Sequence, residues 1–277
     1  MAQAWRNLFL PLHRLAHWPD REDYLHAQRQ RGLDTLFAAL DLASVHTAVE
    51  LGAGDGYVSR QLADRFTRVI GFDLNPHRIA ERTRGNLLLV AGDAERPPLP
   101  PGCADLVFSH SVMEHVPDRI RVTRVLRSLL KPGGRMIHVV PTALWKGFQW
   151  VGFLPHRVRK EVRGVTRSLA GQREAKPQKF HPGMQTNNPR RATRASWQRH
   201  LWPRVHGEYA SNLDETIKWR LSHWQREFEA AGMRTVSRIP LEMTSPYAFG
   251  LSQWVGKRPA LPRATLVAFV LEPSPSC

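Results

Sequence analysis

The sequence predicts an α/β fold with a doubly wound, mostly parallel sheet, and three observations carry that expectation. Short apolar runs near residues 47–51, 68–74, 86–93, 104–109 and 130–140 recur at intervals of about 20–25 residues, with helix-compatible stretches between several of them. The first run, Thr47-Ala-Val-Glu-Leu51, opens directly into glycines at positions 52, 54 and 56. The second and third runs close on Asp73 and Asp93. In an open parallel sheet the ligand crevice lies at the carboxyl ends of the strands, and that is where these glycines and acids fall.

Each element has its own justification. Residues 20–42 set Tyr24, Leu25, Leu33, Leu36, Phe37 and Leu40 behind Asp20, a suitable N-cap, and predict one or two helices over the top of the sheet. The alternate glycines suit a sharp strand-to-helix turn, because they accept positive φ and let backbone N–H groups approach a ligand without a Cβ between. A helix over 56–65 follows. Asn75-Pro76 places proline in the first turn of a helix over 76–84. A proline-rich turn leads to the run Ala104-Asp-Leu-Val-Phe-Ser109, a helix spans 118–130, and Leu130-Lys-Pro-Gly-Gly134 turns the chain into the fifth strand. Asp214 is placed to cap a helix with Ile217, Leu221, Trp224, Phe228 and Ala231 on one face and Gly232 at its end. Residues 233–241 and 247–257 read as two more strands, and 259–277, with four prolines, as a partly ordered extension.

The series Val49-Glu-Leu-Gly-Ala-Gly-Asp-Gly56, Gly71-Phe-Asp73, Gly92-Asp-Ala94, Asp105-Leu-Val-Phe-Ser109 and Leu130-Lys-Pro-Gly-Gly134 resembles the class I S-adenosylmethionine-dependent methyltransferases. Within them it is most similar to the small-molecule (type 11) subgroup, whose fourth strand runs into a segment like Ser111-Val-Met-Glu-His-Val116. The resemblance covers residues 45–141, and its motifs stand in the family's order and spacing. It differs from the dinucleotide pattern, which reads Gly-x-Gly-x-x-Gly. It implies a Rossmann-like methyltransferase fold of seven strands with an antiparallel edge hairpin, and S-adenosyl-L-methionine as cofactor. It also implies roles: Gly52, Ala53 and Gly54 against the methionine part, Asp73 with Leu74 at the ribose, Asp93 and Ala94 at the adenine amino group, Ser109 bordering the cofactor, and Glu50 orienting the turn or the amino group. Methyl transfer from a sulfonium is an in-line displacement that asks chiefly for alignment and exclusion of water. His115 is the candidate base, since imidazole titrates near neutrality, although a histidine there also suits a structural role. His110 is a weaker candidate, and His181 and His206 lie in or beside the segment after the fifth strand.

Composition sets the rest. A chain of 277 residues, 42% hydrophobic with nine tryptophans, builds a large core. Cys103 and Cys277 give neither a disulfide framework nor a metal pattern, as in a reducing cytosol. The first residues do not read as a signal peptide, and no run approaches the ~18 apolar residues of a membrane span. The formal charge of +16 is concentrated: residues 142–207 carry fourteen basic and two acidic side chains. The expected organisation is therefore an N-terminal helical cap (1–45), a cofactor-binding core (46–141), a basic, aromatic-rich insertion or lid (142–212), the final helix and edge hairpin (213–258) and a tail (259–277).

In the resembled family the segment after the fifth strand shapes the acceptor pocket. Trp145, Phe148, Trp150 and Phe153 precede Arg157, Arg159, Lys160, Arg163 and Arg167, a pattern that suits an anionic membrane surface met through 143–167. The same aromatics also suit a lid's own core. The leading expectation is a cytoplasmic enzyme, peripheral at the inner face of the membrane, that methylates a small-molecule, lipid-linked or sugar acceptor. An RNA methyltransferase is the alternative, since a basic patch also suits phosphates, but the chain has no Asn-Pro-Pro-Tyr tetrapeptide, no paired catalytic cysteines and no appended RNA-binding module. An inactive cofactor-binding regulator is a third reading.

Overall fold

A computed structural model describes residues 21–75, 83–153, 203, 205–206, 209–242, 261 and 263–275. Helix α1 (Arg21–Ala39) precedes β1 (Thr47–Leu51), α2 (Tyr57–Ala63), β2 (Arg68–Asp73), the two-residue β3 (Thr83–Arg84), β4 (Leu87–Ala91) and β5 (Ala104–His110). A 3-10 turn (Met113–His115), α3 (Arg119–Ser128) and β6 (Leu130–Pro141) follow, then helix α4 over 143–153. The last elements are α5 (Asn212–Lys218), α6 (Leu221–Ala230), β7 (Met233–Glu242) and β8 (Leu266–Pro273).

The strands lie in the order β3-β4-β2-β1-β5-β6-β8-β7. From β4 to β6 all neighbours are parallel, while β8 runs antiparallel to both β6 and β7. This is the expected seven-stranded, mostly parallel sheet, lengthened by β3, which folds back antiparallel on β4. Because β1 lies between β2 and β5, the chain winds outward from it in both directions, and the crevice opens at its carboxyl end.

Both faces of the sheet are covered, so the central strands are apolar throughout rather than alternating. Val49, Leu51, Ile70, Phe72 and Val107 pack toward Trp224 and Phe228 of α6. Ala48, Val69, Leu106, Phe108 and Ile137 pack toward Leu33 and Leu36 of α1 and Leu62 of α2. Residues 143–153 are helical, and among the described residues no helix is long and apolar enough to cross a membrane.

Four local expectations are corrected or fall elsewhere. The 259–277 stretch is not simply an extension: Leu266–Pro273 is inserted between β6 and β7, and Leu266 through Leu271 are all buried. The prolines frame that strand, with Pro273 at its last position, and its unbroken apolar run is the mark of a strand buried on both faces. The strand expected over 247–257 lies outside the described residues, and β8 partners β7 in its place. Most of the helix expected over 76–84 is likewise outside them, while Thr83 and Arg84 pair with Leu88 and Leu87 through a turn at Gly85. The helix expected to start at Asp214 is two helices. Ser211 caps the first, accepting the Asp214 amide at 3.0 Å, and the break at Trp219-Arg220 turns the fully buried Trp219 ring inward.

Candidate active site

The glycine turn is built from β1 and anchored on β2. Gly52, Gly54 and Gly56 have φ of 74°, 56° and 76°, the left-handed region where a Cβ is costly. The Gly52 and Ala53 amides both donate to the Phe72 carbonyl, at 2.8 and 3.1 Å, which fastens the turn to β2. A Cβ on Gly52 would stand 2.4 Å from Val112 Cγ2, so the segment after β5 closes on the turn. Gly71 is equally constrained, because a Cβ there would meet Ser59 Oγ, Leu89 and the Ala53 methyl within 3 Å.

Asp73, the last residue of β2, sits beside this turn. One carboxylate oxygen accepts the Gly54 amide at 2.9 Å and the other the Asn75 amide at 2.8 Å. A carboxylate has about four lone-pair sites, so each oxygen keeps capacity for a hydroxyl donor. Leu74, next in sequence, is 65% exposed beside the crevice. Asp93 follows the neighbouring β4 and is exposed. Its carboxylate accepts the Glu95 amide at 2.9 Å, and Ala94 packs partly against the core.

Two predicted site residues are buried. Ser109 is fully buried, and its hydroxyl pairs with His138 Nδ1 at 2.8 Å across the β5–β6 register, so the side chain faces α6 rather than the crevice. Strand alternation explains this: Val107 and Ser109 share one face, Phe108 and His110 the other. Glu50 lies beneath the turn, where its carboxylate accepts the Ser59 hydroxyl of α2. Burial pushes its carboxyl up to about 7, against the opposing pull of Ser59 and Arg29. Glu50 therefore ties the strand to the helix that follows.

Sequence reasoning missed two features here. Ser111, just past β5, has φ 56° and is the non-glycine residue with positive φ among the described residues, a strained backbone beside the glycine turn. Helix α1 reaches down onto the turn: His26 Nε2 meets Asp55 at 2.8 Å, Arg29 lies 3.8 Å from the same carboxylate, and the His26 ring stacks on Tyr57 at 4.0 Å. Burial pushes the Asp55 carboxyl up, but the His26 and Tyr57-amide hydrogen bonds with Arg29 outweigh it and leave it below its ordinary value. No periodicity in the sequence announces a strained serine or a clamp formed across the fold.

Beyond Val112 the 3-10 turn carries Glu114 and His115 toward a second group of side chains. The His115 and His206 rings meet at 4.7 Å, Trp145 of α4 lies 5.3 Å from His206, and Trp219 closes the group 5.2 Å from Trp145. Lys146 and Glu215 form a fully buried ion pair at 2.6 Å, and Glu215 also accepts the His206 amide at 3.1 Å. Tyr209 Oη accepts from Trp219 Nε1 at 2.8 Å and from Arg119 at 2.7 Å. His115 and His206, named separately from sequence, are thus brought together. His181 lies outside the described residues. His110 is buried against α1, where desolvation lowers it to about 3, which leaves it neutral.

Residues 49–138 match the family model described as a methyltransferase domain. Over these residues the chain is similar to that methyltransferase family. A trans-aconitate 2-methyltransferase of Escherichia coli O17:K52:H18 (strain UMN026 / ExPEC) is 30% identical over 155 residues, covering 51% of this chain and 61% of the relative. A ubiquinone biosynthesis O-methyltransferase of Cereibacter sphaeroides (strain ATCC 17029 / ATH 2.4.9) is 33% identical over 156 residues, covering 50% and 58%. The chain thus spans about three-fifths of the length of these relatives. The solved structure of an S-adenosylmethionine dependent methyltransferase from Mesorhizobium loti superposes with a TM-score of 0.50 at 16% identity, covering 87% of this chain and 97% of that one, and bears on the fold alone. The methyltransferase domain contributes the glycine turn, Asp73, Asp93 and the Glu114-His115 pair, while Trp145, His206 and Glu215 come from beyond its matched limits.

Proposed function

We propose that this chain transfers a methyl group to a small-molecule acceptor. The carrying observation is the joint between Asp73 and Gly54 at the carboxyl ends of β1 and β2. The residues present fit S-adenosylmethionine: the positive-φ glycines leave the turn bare, Asp73 keeps lone pairs for two ribose hydroxyls, and exposed Leu74 offers an apolar face to a purine. Gly52, Ala53 and Gly54 would lie along the methionine part, and the ends of β2 and β4, with Asp93 and Ala94, along the nucleoside. When bound, the cofactor supplies a sulfonium-borne methyl group that leaves in an in-line displacement. The chain's part is to hold donor and acceptor in line and to keep water out. Val112 against Gly52 walls the junction, and His115 with His206 brings imidazole nitrogens to the acceptor side.

Support for a small acceptor comes from the half-buried aromatic lining of Trp145, His115 and His206, and from the relatives' names, which specify trans-aconitate and ubiquinone biosynthesis. The finer reading is a lipid-linked or otherwise amphiphilic acceptor presented at an anionic membrane surface. It rests on the basic segment 142–207 together with Trp150 and Val151 of α4, which are 38% and 76% exposed. Transfer of labelled methyl from the cofactor into fractionated lipid, small-molecule and RNA pools tests the assignment. Label in the small-molecule or lipid pool supports it, and label confined to RNA overturns it. Salt-sensitive co-sedimentation with anionic but not neutral vesicles is the result the surface reading requires.

A further inference from the structure

We propose that Glu114, His115 and His206 bind a divalent first-row transition ion beside the methyl-transfer crevice. Each side chain offers one ligand atom, and these atoms lie within 4.8 Å of one another. Around an ion with bonds of about 2.0–2.2 Å, tetrahedral ligands stand roughly 3.4 Å apart, so closure asks for side-chain shifts of only about 1 Å. Two imidazoles and a carboxylate are a borderline donor set that suits such ions and leaves positions open for water or an acceptor oxygen.

The independent observation is Glu114 itself. It is 2% exposed, and its Oε2 has no hydrogen-bond partner among the described residues. A buried carboxylate oxygen in that state calls for a cation or a proton, and among the described residues the neighbouring cations Arg119 and Lys146 are engaged elsewhere. Arg119 spends Nε and one Nη on Glu227, at 2.6 and 2.7 Å, and its remaining nitrogen on Tyr209 at 2.7 Å. Lys146 is paired with Glu215 at 2.6 Å.

The surroundings also suit a metal. The His206 amide donates to Glu215 at 3.1 Å, which fixes that residue's backbone, and Trp145 and Trp219 pack around its ring at 5.3 and 6.0 Å. Such support orients ligands and shields the ion from bulk water. The 3-10 turn bearing Glu114 and His115 begins directly after Val112, the residue against Gly52, so the ion would stand on the acceptor side. This last placement rests on the function proposed above, whereas the binding itself does not.

The test uses the full, tag-free chain, stripped with chelator and titrated with Zn²⁺ by calorimetry and with Co²⁺ by visible absorption. The expected result is one ion per chain at micromolar or tighter affinity, with Co²⁺ d–d bands of a low-coordinate site. Glu114→Gln and His206→Ala should each weaken binding by tenfold or more. His206→Ala serves as the folded control, checked by circular dichroism and by S-adenosylhomocysteine affinity. Absence of stoichiometric binding overturns the proposal, and so does Zn²⁺ affinity that His206→Ala leaves unchanged, since the chain's thirteen histidines can bind metal adventitiously. No readout depends on methyl transfer, so a failure here leaves the proposed function standing.

Discussion

The Asp73 carboxylate bridges two backbone amides, Gly54 on the glycine turn at 2.9 Å and Asn75 on the following loop at 2.8 Å. The second strand's acid and the first strand's turn are therefore one unit, and a change at either disturbs both. Asp73→Ala should weaken S-adenosylhomocysteine binding by about 10–100-fold, the size of losing a hydrogen-bonded charge in a partly buried site. Calorimetry measures it. An unchanged affinity in a folded variant would mean that Asp73 serves only the turn.

Gly52 is constrained twice, by its φ of 74° and by Val112 standing 2.4 Å from any Cβ. Gly52→Ala should cost about 1–3 kcal/mol in stability and remove most cofactor affinity. Val112→Ala opens the space but not the backbone, so the double variant should recover part of the stability, read as a coupling in urea unfolding. Strict additivity would show that Val112 does not press on the turn.

The core of the fold was legible because parallel strands buried on both faces write continuous apolar runs. The runs at β1, β2, β4, β5 and β6, with the glycine turn and Asp73, all lie where that pattern puts them. What escaped was long-range or local in a way periodicity does not register. Leu266–Leu271 was masked by its flanking prolines, although Pro273 closes the strand without interrupting its buried run. Ser109 was assigned by family position, and only the register with His138 shows which way it faces. The encounter of His115 with His206 joins residues far apart in sequence, and nothing near either one announces it.

Arg119 and Glu227 tie α3 to α6 through two hydrogen bonds of 2.6 and 2.7 Å, with Arg119 8% exposed. Removing one partner strands a buried charge. Glu227→Leu should destabilise by about 3–5 kcal/mol, whereas Arg119→Met with Glu227→Leu should cost much less. A urea-unfolding cycle checks this, and equal losses for the single and double variants would sink it.

His138 is fully buried between Ser109 and the stacked Phe228 ring, 5.5 Å away, and burial lowers it to about 4. The unfolded chain binds that proton near the ordinary value of 6.5. Because the folded value is the depressed one, the stability tied to neutral His138 is present above about 6.5 and drains away as pH falls toward 4. His138→Asn removes the titration while keeping a side chain that can meet Ser109. Its stability relative to the parent should therefore improve by about 2 kcal/mol between pH 7 and pH 5. Comparing variant with parent at each pH cancels the other titrating groups, including His110, and chemical unfolding at the two pH values gives the difference. A gap that does not change with pH would mean that His138 carries a proton in the folded chain or is reached by water.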